Sequence, residues 1–241
     1  MFKYIQAAAI TMKHKPRSHN LLGRAGDSRA IGSRRRIFRF VTLAFCAGLL
    51  FPTWARATDV PDSNRALLAQ IRAGGLFIYF RHSLTVRAGQ PDNDLSSCAN
   101  QRNLTQAGRN LAQEIGAVFN TLRIPVGAVL ASPYCRCKET ALLAFGRAEI
   151  ASFLATNGDP SEAGERARLA ELARSLRTAS PSGINTVYVA HGNNLQGLAL
   201  LHGYPELRID EAEAVILRPR PDGTVQVVAR VKGQDWRGFR P

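Results

Sequence analysis

The sequence predicts an α/β fold built around a mostly parallel sheet. Short apolar runs of strand length alternate along the chain with longer stretches of helical periodicity, and this alternation is typical of strand–helix–strand units. Turn-forming glycines and prolines separate the two kinds of segment. The sequence contains no internal repeat and no low-complexity segment, so these units are expected to form one domain of 184 residues, 58–241.

Residues 1–57 are predicted to be an export leader outside that domain. The basic segment Ser33–Arg39 precedes the apolar run Phe40–Phe51, and the small-x-small sequence Ala55-Arg56-Ala57 follows it. These are the three parts of a signal peptide, and the apolar run is shorter than the about 20 residues that a membrane span needs. The pattern Ser-Arg-Arg-x-apolar-apolar-Arg resembles a twin-arginine signal, with an ordinary secretory signal as the alternative. We therefore expect a periplasmic or secreted protein without a stable membrane anchor after cleavage.

The net charge of +14 does not indicate a nucleic-acid partner, because most of it lies in the leader. Residues 1–57 contain 11 Lys and Arg against one acidic residue, Asp27. Residues 58–241 contain 21 basic and 17 acidic residues, a net charge of +4. A nucleic-acid-binding domain would be expected to carry its excess of basic residues in the folded part of the chain.

The first half of the domain is predicted from helical spacing, apolar runs and turn residues. A first helix over 59–73 ends at Gly74-Gly75, and strand 75–81 follows it. The polar stretch 83–103 is predicted as a long functional loop. A helix capped by Thr105, with apolar residues on one face to Leu122, precedes strand 126–131. Ser132 is predicted to cap the next helix, which has Pro133 at its first position and runs to about 147.

The second half repeats the alternation and ends in a hairpin. The stretch 149–160 is weakly patterned. The further predicted elements are helix 161–177, strand 186–190, helix 194–202, and strands 212–218 and 224–231 around the turn Pro221-Asp222-Gly223. His202 precedes Gly203 and is interpreted as a helix C-terminal residue with no part in a site.

Three of the predicted parallel strands end in residues suited to anion binding. Strand 75–81 ends in Arg81-His82. Strand 126–131 leads through Ser132 to Arg136, and strand 186–190 stops at His191. Because ligands bind beyond the carboxyl ends of the strands in open α/β sheets, these side chains are expected to meet. Arg136 also lies in the first turn of a helix, and the guanidinium fork fits phosphate oxygens. The sequence therefore predicts a phosphate site.

The chain resembles the histidine phosphatase superfamily, whose fold is phosphoglycerate-mutase-like. The resemblance rests on four motifs that occur in the family's order over 79 to about 200. They are Tyr79-Phe80-Arg81-His82, Asn103-Leu104-Thr105-Gln106-Ala107-Gly108, Ala131-Ser132-Pro133-Tyr134-Cys135-Arg136-Cys137-Lys138-Glu139-Thr140-Ala141, and Val189-Ala190-His191-Gly192-Asn193-Asn194. The resemblance implies a three-layer α/β/α sandwich. The usual glycine after the first histidine is Ser83 here, and with the leader this looks more like the exported branch that includes lipopolysaccharide core heptose phosphatases.

The resemblance also implies the roles of the site residues. His82 would be the nucleophile that forms phosphohistidine, and Arg81, Arg136 and His191 would stabilise the phosphoryl oxygens. Contacts to substrate are expected from five further residues: Ser132, Asn103, Thr85, Asn193 and Glu211. Neither a metal nor a cofactor is implied, because these cations replace Mg²⁺ in stabilising the phosphoryl charge, and no cysteine or histidine pair has zinc spacing.

The proton donor for the leaving group is the least determined part of the site. Glu211 and Glu213 are expected at the start of strand 212–218, where residues two apart share a face. A buried carboxylate beside a second one should have a raised pKa, which favours Glu213, then Glu211, then Glu162. Glu162 and Glu165 begin a helix, where a glutamate more often interacts with the helix dipole.

Three cysteines remain after the leader: Cys98, Cys135 and Cys137. A disulfide from Cys98 to Cys135 would fasten the long loop to the helix that carries Arg136, with pairing to Cys137 or three reduced thiols as the alternatives. The leading functional hypothesis is a phosphomonoesterase acting on a phosphorylated small molecule or glycan. The alternatives are a catalytically silent member of the fold that binds phosphorylated ligands or a partner protein, and a phosphohistidine or phosphoprotein phosphatase.

Overall fold

The sheet of this computed structural model has six strands in the order β3-β2-β4-β1-β5-β6. The strands are β1 (Phe77–Arg81), β2 (Val126–Ala131), β3 (Glu149–Ile150), β4 (Asn185–Ala190), β5 (Ala214–Pro219) and β6 (Val225–Val231). The pairs β1–β4, β2–β3 and β2–β4 are parallel, and the late hairpin adds the antiparallel pairs β1–β5 and β5–β6. The structure describes residues 62–86, 92, 94–156, 162–178 and 180–240. The predicted leader, 1–57, lies outside them.

Within the described ranges, five α-helices cover the two faces of the sheet. They are α1 (Asp62–Ala73), α2 (Gln106–Thr121), α3 (Cys135–Phe145), α4 (Ala163–Arg177) and α5 (Gly192–His202). One core cluster joins α1, α2 and α3 to alternate strand residues such as Ile78 and Phe80. The second joins α4 and α5 to the residues between them, such as Phe77 and Tyr79. This alternation places two apolar layers around one sheet, and the predicted three-layer α/β/α sandwich is confirmed.

The start of α3 differs from the prediction. Ser132 does not cap this helix, which begins at Cys135 with Tyr134 as its N-cap, and the Tyr134 side chain makes no capping hydrogen bond. The Ser132 hydroxyl instead lies 2.9 Å from Nε2 of His191, the residue directly after the neighbouring strand β4. Because β2 and β4 are adjacent and parallel, the residues that follow their ends meet sideways, and this contact replaces the local cap.

The start of β5 also differs, and this changes the position of the two glutamates. The strand begins at Ala214, and Ala212 has a φ of 63°, in the left-handed region. The predicted common strand face for Glu211 and Glu213 is therefore wrong, because the chain turns between them. Apolar spacing cannot reveal such a turn, since alanine rarely takes this conformation.

Smaller differences concern short elements. The weakly patterned stretch after α3 contains the two-residue strand β3 and a 3₁₀ helix at Ser152–Leu154, which were too short to predict. His202 is the last residue of α5, and Gly203, with a φ of 67°, ends the helix as expected. None of the helices among the described residues has the length and apolar character that crossing a membrane requires.

Candidate active site

The strand ends bring the two predicted histidines together. His82 follows β1 directly and His191 follows β4, and these strands pair in parallel register up to Arg81 and Ala190. The His82 amide donates to the Ala190 carbonyl at 3.0 Å, and the ring centroids of the two histidines are 5.7 Å apart. Both rings are buried, at 2% and 4% exposure. The predicted convergence of the first and third strand ends is confirmed.

The orientation of the His82 ring leaves one nitrogen free for chemistry. Nδ1 lies 2.9 Å from the Ser83 carbonyl oxygen, which can only accept, so Nδ1 carries the proton and donates it. Nε2 therefore carries the lone pair. Burial, together with the charges of Arg136, Arg81 and Arg102, lowers the pKa of His82 to about 3, although the hydrogen bond to Ser83 acts to raise it, so the imidazole is neutral at neutral pH. A neutral ring with a fixed lone pair is the state that a nucleophile requires.

The segment after His82 is fastened to α2 and α3 by polar contacts. The Ser83 hydroxyl donates to the Gly108 carbonyl at 2.8 Å, and the Ser83 amide donates to Oγ1 of Thr140 at 3.0 Å. Gly108 allows this close approach, because a Cβ at that position would lie 2.1 Å from the Leu84 carbonyl oxygen. Thr105, the confirmed cap of α2, accepts from the Gly108 amide. Ser83, the residue that departs from the motif, therefore has a structural use here.

Arg136 reaches the site from the second helical position of α3. Its side chain is only 5% exposed, and its guanidinium carbon lies 4.4 Å from the centre of the Tyr134 ring. One terminal nitrogen donates to Oδ1 of Asp92 at 2.6 Å, and the other lies 3.5 Å from Nδ1 of His191. Burial of a guanidinium is unfavourable without an anionic partner, and Asp92 partly provides one.

Arg81 and Glu211 form the opposite side of the site. The Glu211 carboxylate accepts from the Thr85 amide at 3.0 Å and from the Thr85 hydroxyl at 2.7 Å. It also lies 3.5 Å from Arg81 and 3.4 Å from Arg102. Glu211 therefore binds Arg81, Arg102 and Thr85, the last of which is a predicted substrate contact. These three residues lie near the strand ends.

Arg102 and Asp92 are site residues that the sequence did not reveal. Both belong to the predicted polar loop, and their position depends on contacts far apart in sequence. The Asp92 carboxylate also accepts from the Arg102 amide at 3.2 Å. The only sequence signal was the position of Arg102 directly before the motif that starts with Asn103. The structure thus adds a third arginine and a carboxylate to the predicted set.

The predicted disulfide between Cys98 and Cys135 is confirmed, and Cys137 is a buried free thiol. The bond joins the loop to the first residue of α3. Near it, Oε1 of Gln101 accepts from the Cys135 amide at 2.8 Å and so caps this helix from a distance. Burial raises the pKa of the Cys137 thiol to about 12, so it is protonated at neutral pH.

Glu213, the first choice for proton donor, has different partners from those expected. Its carboxylate accepts from Nε of Arg230 at 2.7 Å and from the Asp210 amide at 2.8 Å. Although burial acts to raise the pKa of Glu213, these two hydrogen bonds and the charges of Arg230 and Lys232 lower it overall. The predicted raised pKa is therefore wrong, because Arg230 on β6, and not a second carboxylate, is the neighbour.

The remaining predicted residues have the following positions. The side-chain amide of Asn103 donates to the Cys98 backbone carbonyl at 2.6 Å and so supports the loop. Asn193 is exposed in the first turn of α5. Ser132 is fully buried, with its hydroxyl on His191. Glu165, at the start of α4, accepts from Thr156 and Arg168.

Two buried N–H groups of the site have no hydrogen-bond partner among the described residues. They are Nε of Arg102 and Nε of Arg136. Buried polar groups are hydrogen-bonded in the great majority of cases, so such groups in a functional site indicate a ligand. Both belong to cations, which indicates an anion. The described residues include no group of three or more His, Cys, Asp or Glu side chains that is arranged to hold a metal ion.

Solved structures similar to this chain include several phosphatases. One is a protein histidine phosphatase, SixA, complexed with tungstate, at 15% identity and a TM-score of 0.47, covering 66% of this chain and 98% of that one. Another is a mycobacterial glucosyl-3-phosphoglycerate phosphatase with inorganic phosphate, at 19% identity and a TM-score of 0.47, covering 67% and 99%. The chain is similar in structure to histidine phosphatases.

A third similar structure is a phosphoserine phosphatase variant from Entamoeba histolytica in complex with phosphoserine. It is 14% identical, with a TM-score of 0.46, and the match covers 66% of this chain and 98% of that one. No protein-family model matches this chain, and no curated protein does. At these identities and TM-scores, the activity of this chain has to be inferred from its own residues.

Proposed function

We propose that this chain is an exported, metal-independent phosphomonoesterase that acts through a phosphohistidine intermediate at His82. The observation that carries the proposal is a pair of buried guanidinium N–H groups without a partner in the described part of the chain, near a histidine whose Nε2 lone pair is fixed. Arg81, Arg102 and Arg136 supply three positive charges, and Asp92 and Glu211 balance only two of them. The remaining positive charge would attract a phosphoryl anion.

The proposed reaction has two displacements. In the first, Nε2 of His82 forms a bond to phosphorus while the bond from phosphorus to the leaving oxygen breaks, and that oxygen takes a proton. In the second, water attacks phosphorus, the nitrogen–phosphorus bond breaks, and phosphate leaves. The arginines stabilise the equatorial charge in both steps, since phosphoryl transfer depends mainly on positioning and on charge stabilisation.

Asp92 is the carboxyl group that we assign to the leaving-group proton. Both oxygens of the Glu211 carboxylate already accept hydrogen bonds, from Thr85 and from two arginines. Asp92 accepts through Oδ1 alone from Arg136 and from the Arg102 amide. Its side chain is 36% exposed, so it borders the opening through which a substrate would enter. A phosphoryl group bound to Arg136 would compete with Asp92 for that guanidinium.

A substitution at His82 tests the proposed function. His82→Asn should abolish phosphate release from p-nitrophenyl phosphate, because an amide nitrogen has no available lone pair. The parent protein, quenched during turnover with a ³²P-labelled substrate, should carry a phosphate that is stable to base and labile to acid. The control is His202→Asn, which lies at the end of α5 and should retain activity. Activity in His82→Asn, or loss of activity on treatment with EDTA, would contradict the proposal.

The substrate class that we propose is a phosphorylated small molecule or glycan. The described part of the polar loop contributes Thr85, Asp92 and Arg102 to the site, and a hydroxyl-rich substrate would require such polar groups beside the cations. A panel of sugar phosphates, phytate, phosphoserine and a phosphohistidine protein tests this choice. Preferred turnover of the phosphohistidine protein would support the alternative of a phosphoprotein phosphatase. Phosphate binding without turnover of any of them would support the silent binding protein.

Export is the third part of the proposal, and it rests on the basic segment, the apolar run and the cleavage sequence of residues 33–57. In the source organism, the N-terminus of the processed protein should lie at or near Thr58, as measured by mass spectrometry. Replacing Arg34 and Arg35 by lysine should block export only if the twin-arginine route is used. The full-length chain in the cytosol would contradict export.

A further inference from the structure

The two ring nitrogens of His191 face opposite chemical environments. On the inner side, Nε2 lies 2.9 Å from the Ser132 hydroxyl and 3.7 Å from the Cys137 sulfur. On the other side, Nδ1 lies 3.5 Å from a terminal nitrogen of Arg136, the guanidinium assigned to phosphate. The ring is buried and the Tyr134 ring packs edge-on against it, with centroids 4.9 Å apart, so it cannot turn over freely.

The neighbours of Nδ1 determine where a neutral His191 carries its proton. A guanidinium has only donors, so its approach to Nδ1 requires a lone pair there. A proton on Nδ1 would point at a positive charge, whereas a proton on Nε2 points at the Ser132 oxygen. The Nε2–H form is therefore favoured in the unliganded site.

The contacts of the Cys137 thiol agree with this choice. The thiol donates to the Ala190 carbonyl oxygen at 3.7 Å, and its sulfur lies 3.7 Å from Nε2 of His191. Because a carbonyl can only accept, the thiol proton is directed to Ala190 and not to His191. The Ser132 oxygen, 2.9 Å from Nε2, is therefore the acceptor for the Nε2 proton.

Several charged or titratable groups surround the His191 ring, and they come from every element packed against it. They are His82 and Arg81 at the end of β1, Arg102 in the loop, and Tyr134, Arg136 and Cys137 at α3. Burial, then His82 and the three arginines, lower the pKa of His191 well below its ordinary value. The ring is thus neutral before an anion binds.

We propose that Ser132 is a positioning residue that fixes His191 as its Nε2–H form, so that Nδ1 faces the phosphate site and takes up a proton when phosphate binds. This inference rests on the proposed function, since phosphate is the ligand. The proton comes from solvent when the ligand is a dianion, and the complex then contains one proton more than its separated components. His191 becomes an imidazolium that donates from Nδ1 to a phosphoryl oxygen and from Nε2 to Ser132.

Nitrogen-15 spectra of the histidine rings test the first half of the proposal in the ligand-free protein. The expected spectrum of His191, assigned by its loss in His191→Gln, shows a proton on Nε2 and a lone pair on Nδ1. Ser132→Ala should shift the ring toward the Nδ1–H form, and Ser132→Thr, which retains the hydroxyl, should restore the parent spectrum. The control is Ser175→Ala, because Ser175 also bonds to a ring-bearing side chain, Tyr188, at 2.6 Å, but outside the site. An Nδ1–H signal in the parent protein, or an unchanged Ser132→Ala spectrum, would overturn the assignment.

Calorimetry with inorganic phosphate tests the second half. Titrations near pH 8 in two buffers of different ionisation enthalpy count the protons taken up, and about one per phosphate is expected in the parent and in Ser175→Ala. His191→Gln should bind without this uptake, whereas His82→Asn should retain it. Ser132→Ala should bind phosphate about tenfold more weakly, the equivalent of one hydrogen bond. Binding without proton uptake in the parent would overturn this half. No binding in the parent would contradict the proposed function as well, while the spectra would still decide the role of Ser132.

Discussion

Cys98 and Cys135 are joined by a disulfide that fastens the long loop to the residue directly before Arg136. The bond closes a connection of 37 residues, and it lies on the same segment as Arg102 and Gln101. The geometry of the arginine pair at the site therefore depends on a covalent link between two parts of the chain that are distant in sequence.

Reduction of this disulfide should weaken both stability and substrate binding. By loop-closure entropy the bond contributes about 4 kcal/mol to the free energy of unfolding. Reduction should lower the denaturation midpoint and raise KM for p-nitrophenyl phosphate more than it lowers kcat, because His82 and His191 lie on strand ends outside the loop. The denaturation midpoint and the two kinetic constants are measured with and without a reductant. The Cys98→Ser variant should behave like the reduced parent and should not respond to the reductant. If the variant did respond, the effect of the reductant would have a cause other than this disulfide.

Loss of Arg102 should weaken phosphate binding, because its buried Nε has no other partner among the described residues. Arg102→Ala is expected to raise KM and the phosphate Kd by about 10- to 100-fold, in line with the loss of a charge-assisted hydrogen bond. Arg208→Ala provides the control, since that side chain is 81% exposed. Equal KM values in the two variants would exclude Arg102 from the site.

A pair of substrates tests Asp92 as the proton donor. Asp92→Asn should lower kcat for an alkyl phosphate by about 10²-fold or more and largely spare p-nitrophenyl phosphate, whose leaving group needs no proton. Glu211→Gln should instead raise KM for both substrates, because Glu211 positions Arg81 and Arg102. Equal loss on both substrates in Asp92→Asn would assign Asp92 to binding.

Glu213→Gln should affect stability and not proton transfer. Its carboxylate is 3% exposed and satisfies Arg230 and the Asp210 amide, so the loss is about 1–2 kcal/mol, reduced by the 45% exposure of Arg230. Activity per folded molecule should be unchanged on alkyl and aryl phosphates alike. Glu206→Gln, which removes the exposed partner of Arg208, should change neither property. Selective loss on the alkyl substrate would restore Glu213 as the donor.

Stability should fall as the pH falls from about 6.5 toward 3. Burial lowers the pKa of His82 to about 3 in the folded state, whereas the unfolded chain keeps the ordinary value of 6.5. Between these values the unfolded state binds more protons, so acid favours unfolding, by up to about 1.4 kcal/mol per pH unit for each such histidine. Denaturation at pH 7.5 and 4.5 measures this, and His82→Asn should flatten the dependence. His202→Asn should flatten it less, because His202 is more exposed. Equal slopes in parent and His82→Asn would contradict the assigned state of His82.

The part of the site that follows the strands was predictable, because parallel strands place their carboxyl ends at one edge. Arg81, His82 and His191 follow from that rule, and Arg136 follows from its place in the first turn of α3. The strands β1, β2 and β4 have strong apolar runs, so their bounds agree with the sequence to within two residues.

The loop and the start of β5 were not predictable for a physical reason. Arg102 and Asp92 owe their positions to each other, to the disulfide and to Gln101, which are contacts between distant parts of the chain. Ala212 takes a left-handed φ because its amide donates to the His82 carbonyl at 2.9 Å. Local sequence patterns contain no information on either kind of contact.

The backbone of His82 is hydrogen-bonded on both sides, by its amide to Ala190 and by its carbonyl to the amide of Ala212. In a hydrogen-exchange experiment, the backbone amide proton of His82 exchanges only when β1 separates from β4 in the centre of the sheet. Such an opening is close to global unfolding. The amides of the exposed stretch Cys98–Asn100 exchange through small local openings instead. The reacting histidine thus belongs to a slowly exchanging part of the sheet, whereas the loop segment fastened by the disulfide exchanges faster.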